Sequence, residues 1–176
     1  MKPLTIHYPA LCLLMLLPGQ SSQAAGWGQV NMQGAVIETA CAIDTDSRDQ
    51  TIDMSVIPLS QIIRDGEGGK YPFSIRLVNC VLDRVDDRSP KWRRFQVTFD
   101  GRVDNELFGV DGPARGVALQ IVDSYGNIIK PGMPSPYLDI SEGNKELKYS
   151  LRLVSNKQTL RSGEYTSTIR FKMDYY

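Results

Sequence analysis

Apolar and polar residues alternate with a period of two along most of the chain. Val30, Met32, Gly34 and Val36 share one face, and Ile52, Met54 and Val56 form a shorter set ahead of Pro58. Phe73, Ile75 and Leu77 alternate up to Asn79-Cys80, and Phe95, Val97 and Phe99 up to Asp100-Gly101. Val117, Leu119 and Ile121 precede Tyr125-Gly126-Asn127; Leu147, Tyr149, Leu151 and Leu153 follow, and Tyr165 to Tyr175 is the last run. Short alternating runs separated by Gly, Pro, Asn and Asp predict antiparallel sheets packed as a sandwich. Leu59 to Arg64 predicts a single helical turn before the loop Asp65-Gly66-Glu67-Gly68-Gly69. Pro131 to Pro136, with three prolines, cannot join a central strand. With no internal repeat and no linker, the pattern predicts one all-β domain.

Both ends of the pattern are unusual. The final segment, Glu164 to Tyr176, puts Ile169, Phe171, Met173 and Tyr175 on one face, with no following turn to bring a partner strand. A long apolar edge strand is an aggregation hazard that folded proteins cover. At the other end, Gly26 to Glu38 predicts a strand whose apolar face is interrupted at Gly34, where another backbone could approach closely. From the pattern alone, an ordinary sandwich whose first strand joins its own sheet is the favoured reading.

The chain begins with a positive residue, Lys2, the apolar stretch Ala10 to Leu17, and Pro18-Gly19. Ser22-Gln23-Ala24 then supplies small residues for cleavage, the pattern of a secretory signal peptide over residues 1–24. Eight apolar residues are too few to span a bilayer, which takes about 20, and Leu11 before Cys12 argues against a lipoprotein. No membrane span is expected after cleavage.

Cleavage changes the available chemistry. His7, the one histidine of the chain, leaves with the signal, so histidine-based triads, general bases and metal sites are excluded from the mature protein. Cys12 leaves too. Cys41 and Cys80 remain, and in an oxidising compartment such a pair most simply forms one disulfide, with two free buried thiols as the alternative. Of 176 residues, 20 are Lys or Arg and 20 Asp or Glu, a balance unlike that of a nucleic-acid binder. At 41% hydrophobic and 23% charged, the composition is that of a folded domain rather than a disordered chain.

Four segments, in order, resemble the subunits of chaperone–usher pili, the type 1 and P pilus fimbrial proteins of Gram-negative bacteria. Val30-Asn31-Met32-Gln33-Gly34-Ala35-Val36, followed by Cys41, is similar to that family's donor-strand signature. Phe73 to Cys80 resembles the strand carrying the second cysteine, and Gly116 to Asp123 with Gly126 a central strand and turn. Gly163-Glu164-Tyr165 through Phe171 to Tyr175 resembles the C-terminal strand.

The resemblance implies an incomplete immunoglobulin-like β-sandwich lacking its C-terminal seventh strand and completed by a donor strand in trans. It implies residues 25–38 as donor segment, with Val30, Met32, Gly34 and Val36 as donor residues, and 39–176 as pilin domain. Tyr165, Ile169, Phe171, Met173 and Tyr175 become the edge of an acceptor groove, filled first by a periplasmic chaperone and later by a neighbouring pilin. The implied partners are that chaperone, an outer-membrane usher and neighbouring subunits; the implied location is a surface fimbrium. The expected protein is a non-enzyme without cofactor or metal and without affinity for nucleic acid. Val97 to Gly101, Gly126 to Ile128 and Leu147 to Arg152 resemble most the assembly-terminating anchor subunit of P pili, although Ala25 to Gln29 is a short lead into the donor segment. A polymerising shaft or adaptor pilin is the alternative within the family. From another class, the alternative is an autonomous carbohydrate-binding sandwich, for which Trp27 and Trp92 are the available indole platforms.

Other motifs carry less. Asp44 to Asp49 begins like a calcium loop but lacks the glycine at its sixth position and has Ser55 at the glutamate position, so a solvated turn is expected. Gly66 to Lys70 is followed by Tyr71 rather than Ser or Thr, unlike a phosphate loop. Lys91-Trp92-Arg93-Arg94 is offset by Asp83, Asp86 and Asp87. No pair of carboxylates is singled out for glycoside hydrolysis.

Overall fold

The computed structural model describes residues 28–176 apart from Asp87. The segment read as a signal peptide, residues 1–24 with His7 and Cys12, and residues 25–27 with Trp27 lie outside the described residues. Ten strands and two short helices follow one another: β1 (Ala42–Ile43), α1 (Thr45–Arg48), α2 (Leu59–Asp65), β2 (Tyr71–Cys80), β3 (Arg94–Gly101), β4 (Val103–Asp104), β5 (Leu107–Phe108), β6 (Val117–Asp123), β7 (Ile128–Ile129), β8 (Leu138–Asp139), β9 (Gly143–Ser155) and β10 (Ile169–Tyr175).

The strands form two antiparallel sheets. One runs β1-β2-β9-β6-β5-β4 with β7 beside β6; the other is β10-β3-β8. Inward-facing residues of both enter a single core. Phe95, Val97 and Phe99 of β3 are at most 2% exposed and face Ile75, Leu77, Leu119, Ile121 and Leu151 of the larger sheet. The aromatic centre of this core is Phe99 packed edge-on against Tyr149, with ring centroids 5.0 Å apart, and Tyr149 stacked on Phe73 at 5.3 Å. Alternation in β2, β3 and β9 thus does what the sequence predicts, burying one face of each strand. β6 is buried on both faces, since Ala118 is as inaccessible as its apolar neighbours.

Local chemistry sets the breaks. Gly66 ends α2 in the left-handed conformation (φ 76°) and its N–H bonds the Ile62 carbonyl, 3.0 Å away. The register of β2 on β9 shifts between Leu77 and Cys80, with Asn79 at φ 53°. Past this bulge, Cys80 is disulfide-bonded to Cys41. At Gly112 (φ 120°), an added Cβ would lie 2.5 Å from the Glu164 carbonyl oxygen, so this crossing requires glycine.

Three sequence expectations differ from the structure. Ile52 to Val56 forms no strand: Ser55 adopts φ 55°, so Met54 is buried while Val56 turns out to 95% exposure. The last strand begins at Ile169 rather than near Tyr165, because Arg161 and Thr166 make isolated bridges to Arg115 and Asp111. The N-terminal segment, residues 28–39, forms no strand. The helical turn at Leu59 and the irregular Pro131 to Pro136 loop are as the sequence reading has them. Asp44 to Asp49 closes as a helical turn capped by the Asp44 carboxylate, and Arg76 holds Asp44 and Asp46, each at 3.0 Å. Residues 36–176 form one compact unit. No helix of the described residues is long and apolar enough to cross a membrane.

Candidate functional site: an apolar groove beside the last strand

β10 lies at the end of its sheet. Its one partner strand is β3, with Phe171 opposite Phe99 and Tyr175 opposite Phe95. On its free side opens a groove of about 930 Å³. One wall is Tyr165 to Phe171; the other is the irregular stretch Gln50 to Ser55, with Ile43. Phe73, Ile75, Phe99, Leu119, Ile121 and Leu151 reach it from the core as its floor. Arg48, Asp49, Asp53 and Arg170 supply a polar rim.

The burial of β10 reports this opening. Ile169, Phe171, Met173 and Tyr175 point toward the core, yet all stay half-buried, whereas Phe99, Val97 and Phe95, the β3 partners of the last three, are sealed. An antiparallel sandwich with a partner on both sides of that strand would seal them equally. An extended peptide laid along β10 could satisfy its free backbone groups and place alternate side chains over the apolar floor. Burial of that floor is the driving force, at roughly 25 cal/mol per Å² of apolar surface removed from water.

Tyr165, Ile169 and Phe171 line the groove. Met173 and Tyr175 share the strand but lie beyond the groove wall; Tyr175 instead packs on Trp92 and Phe95, with centroids 6.0 Å from each. The opposite wall and the floor residues Leu119, Ile121 and Leu151 were not singled out from sequence as site residues. The floor is visible there as alternating positions, but alternation cannot say which core residues border an opening. At the groove's Tyr165 end, Tyr71 donates its hydroxyl hydrogen to the Met54 carbonyl. The Tyr165 hydroxyl is buried without a hydrogen-bond partner among the described residues, and burial, then Tyr71 and Asp53, holds its pKa above the usual phenol value.

The segment before the domain is fully exposed. Val30, Met32 and Val36 are 82%, 88% and 104% exposed, and a Cβ added at Gly34 would meet nothing within 4 Å. Trp92, by contrast, is 7% exposed and offers no open platform for a sugar ring. A second, more polar cleft of about 420 Å³ is bordered by Asp123, Tyr125, Tyr137, Asp139 and Tyr149. Among the described residues, no three His, Cys, Asp or Glu side chains gather as a metal site.

A sandwich whose last strand has one open side over an apolar core is an incomplete one. No family model matches the sequence. The chain is 32% identical over 166 residues to the PRS fimbrial minor pilin protein of Escherichia coli, covering 92% of this chain and 85% of that one. It is 28% identical to the fimbria A protein of Serratia marcescens, covering 85% of each. Its fold matches the crystal structure of the P pilus rod subunit PapA with a TM-score of 0.67, at 20% identity over 78% of this chain and 100% of that one. The chain belongs to the fimbrial pilins, the subunits of chaperone–usher pili. Its fold is the pilin's incomplete immunoglobulin-like sandwich, and its destination is the cell-surface fimbria.

Proposed function

We propose that this pilin is a minor subunit that ends or anchors a fimbria, receiving one strand in its groove and donating another. The observation that carries the reading is the half-buried inner face of β10 over an apolar groove, which a strand from another chain would complete. During export that strand comes from a periplasmic chaperone, which delivers the subunit to an outer-membrane usher. Residues 25–38, ahead of a pilin domain at 39–176, are donated to a neighbour, with Val30, Met32 and Val36 as apolar plugs. Gly34 lets the two backbones approach. Tyr165, Ile169 and Phe171 form the edge that meets the incoming strand, and Met173 and Tyr175 extend it toward Trp92.

Support for a minor role comes from the 32% identity to a fimbrial minor pilin, against 28% to the fimbria A protein. A second reading, a polymerising shaft subunit, draws on the open groove and the likeness to a rod subunit. Dosage separates them. Raising expression of a terminator relative to the other subunits shortens fibres, whereas raising a shaft subunit lengthens them; electron micrographs of fibre length decide. Longer fibres would overturn the terminator assignment.

A further inference from the structure

The root of the N-terminal segment is held by its own small polar device. Val36 and Ile37 are 104% and 75% exposed, and Ala40, four residues after Val36, is completely buried. Between them stands Glu38. One carboxylate oxygen accepts a hydrogen bond from the Val85 N–H at 2.6 Å, and the other lies 3.6 Å from Nε of Arg84. The Arg84 guanidinium sits 4.0 Å above the centre of the Trp92 ring, and Trp92 packs edge-on against Tyr175. Glu38 is thereby tied to the last strand through two stacked side chains.

Two features set this ion pair apart. Its side chains are 29% and 34% exposed, and in every other ion pair among the described residues at least one partner is 40% exposed or more. In addition, Arg84 Nε and Trp92 Nε1 are buried donors without hydrogen-bond partners, and Glu38 is the acceptor next to Arg84 Nε. Unmet buried donors favour keeping an anion at that spot. The backbone supports the same junction, because the Ala40 carbonyl accepts from Val81 N–H and the Leu82 carbonyl from Trp92 N–H, each at 2.8 Å.

We propose that Glu38, Arg84 and Trp92 are positioning residues that fix where the donor segment leaves the domain. Among the described residues, the first hydrogen bond and ion pair from the N-terminal segment to the domain are those of Glu38, so the tether between linked subunits ends there rather than at the disulfide. Releasing Glu38 would free Glu38 and Thr39 and lengthen the tether by about 7 Å, at about 3.3 Å per extended residue. The slack at each joint, and so the range of angles between subunits, is set by this contact. The inference rests on the donor reading above.

The test uses the mature full-length protein in its one-to-one complex with a fimbrial chaperone, as wild type and as three variants: Glu38→Ala, Glu38→Gln and Arg84→Ala. Hydrogen exchange at the Val85 amide should quicken about tenfold in Glu38→Ala, the loss of one hydrogen bond to a charged group. Glu38→Gln retains an acceptor and should keep most of that protection. In two-subunit complexes imaged by electron microscopy, Glu38→Ala and Arg84→Ala donors should give a broader spread of inter-subunit angles than wild type. Glu38→Gln should fall between. Unchanged Val85 exchange in Glu38→Ala, or an unchanged angle distribution, would overturn the proposal. If the wild-type chain donates to no partner, the donor reading fails, and Val85 exchange alone decides whether Glu38 anchors the chain.

Discussion

Phe171 and Phe99 stand opposite one another in adjacent strands, with ring centroids 6.0 Å apart, yet Phe99 is 2% exposed and Phe171 only half-buried. Two aromatic rings on the same sheet, facing the same core, differ because Phe171 has a neighbouring strand on one side alone. That asymmetry locates the place where the fold is unfinished.

Placing a charge at that position should stop strand capture. Phe171→Asp puts a carboxylate against the apolar floor of the groove, where any incoming apolar strand would bury it. Co-purification with a fimbrial chaperone should fall at least tenfold. Lys172→Ala, on the solvent side of the same strand, should leave it near wild type. An intact complex with Phe171→Asp would remove the groove from the account.

The proposed donation can be blocked without touching the domain. Nothing lies within 4 Å of a Cβ at Gly34, so Gly34→Leu should leave thermal stability unchanged. In a neighbour's groove the same side chain would force two backbones apart, and incorporation into fibres should be lost. Normal incorporation would refute Gly34 as the close-approach point.

The disulfide should stabilise the domain by restricting the unfolded chain. Cys41 and Cys80 are 39 positions apart, and replacing both with serine should cost about 3–4 kcal/mol in chemical denaturation of the chaperone-free, peptide-filled domain.

Alkaline pH should destabilise the fold through its buried phenols. Burial, then the Asp123 charge, raises the Tyr149 pKa strongly, and burial raises those of Tyr175 and Tyr165. The folded state holds these protons more tightly than the unfolded chain, so stability is constant below the ordinary phenol pKa of about 10 and falls as pH rises above it. Tyr149→Phe should remove the largest part of that fall. Equal losses in the variant and wild type between pH 9 and 11 would contradict it.

Much of the framework was legible because the alternating apolar residues of β2, β3 and β9 are buried, as are those of β6 although its other face is closed too. The pairing of two cysteines in an exported chain was likewise within reach of sequence. Ile52 to Val56 misled because Ser55 enters the left-handed region, which neither composition nor period announces. Its loop nonetheless forms a groove wall, so half of the site lies in residues without a pattern. Tyr165 misled differently: it continues the alternation of β10, but its neighbour Thr166 bridges to Asp111 on another part of the fold. The Glu38–Arg84–Trp92 contact spans loops distant in sequence and leaves no periodic trace.

The central claim is that this sandwich lacks a strand and takes one from another chain. Its most direct test is the native mass of the periplasmically expressed protein, with and without a fimbrial chaperone. The expected result is loss or aggregation alone and a one-to-one complex when the chaperone is present. A soluble, cooperatively folding monomer without any chaperone would contradict the claim.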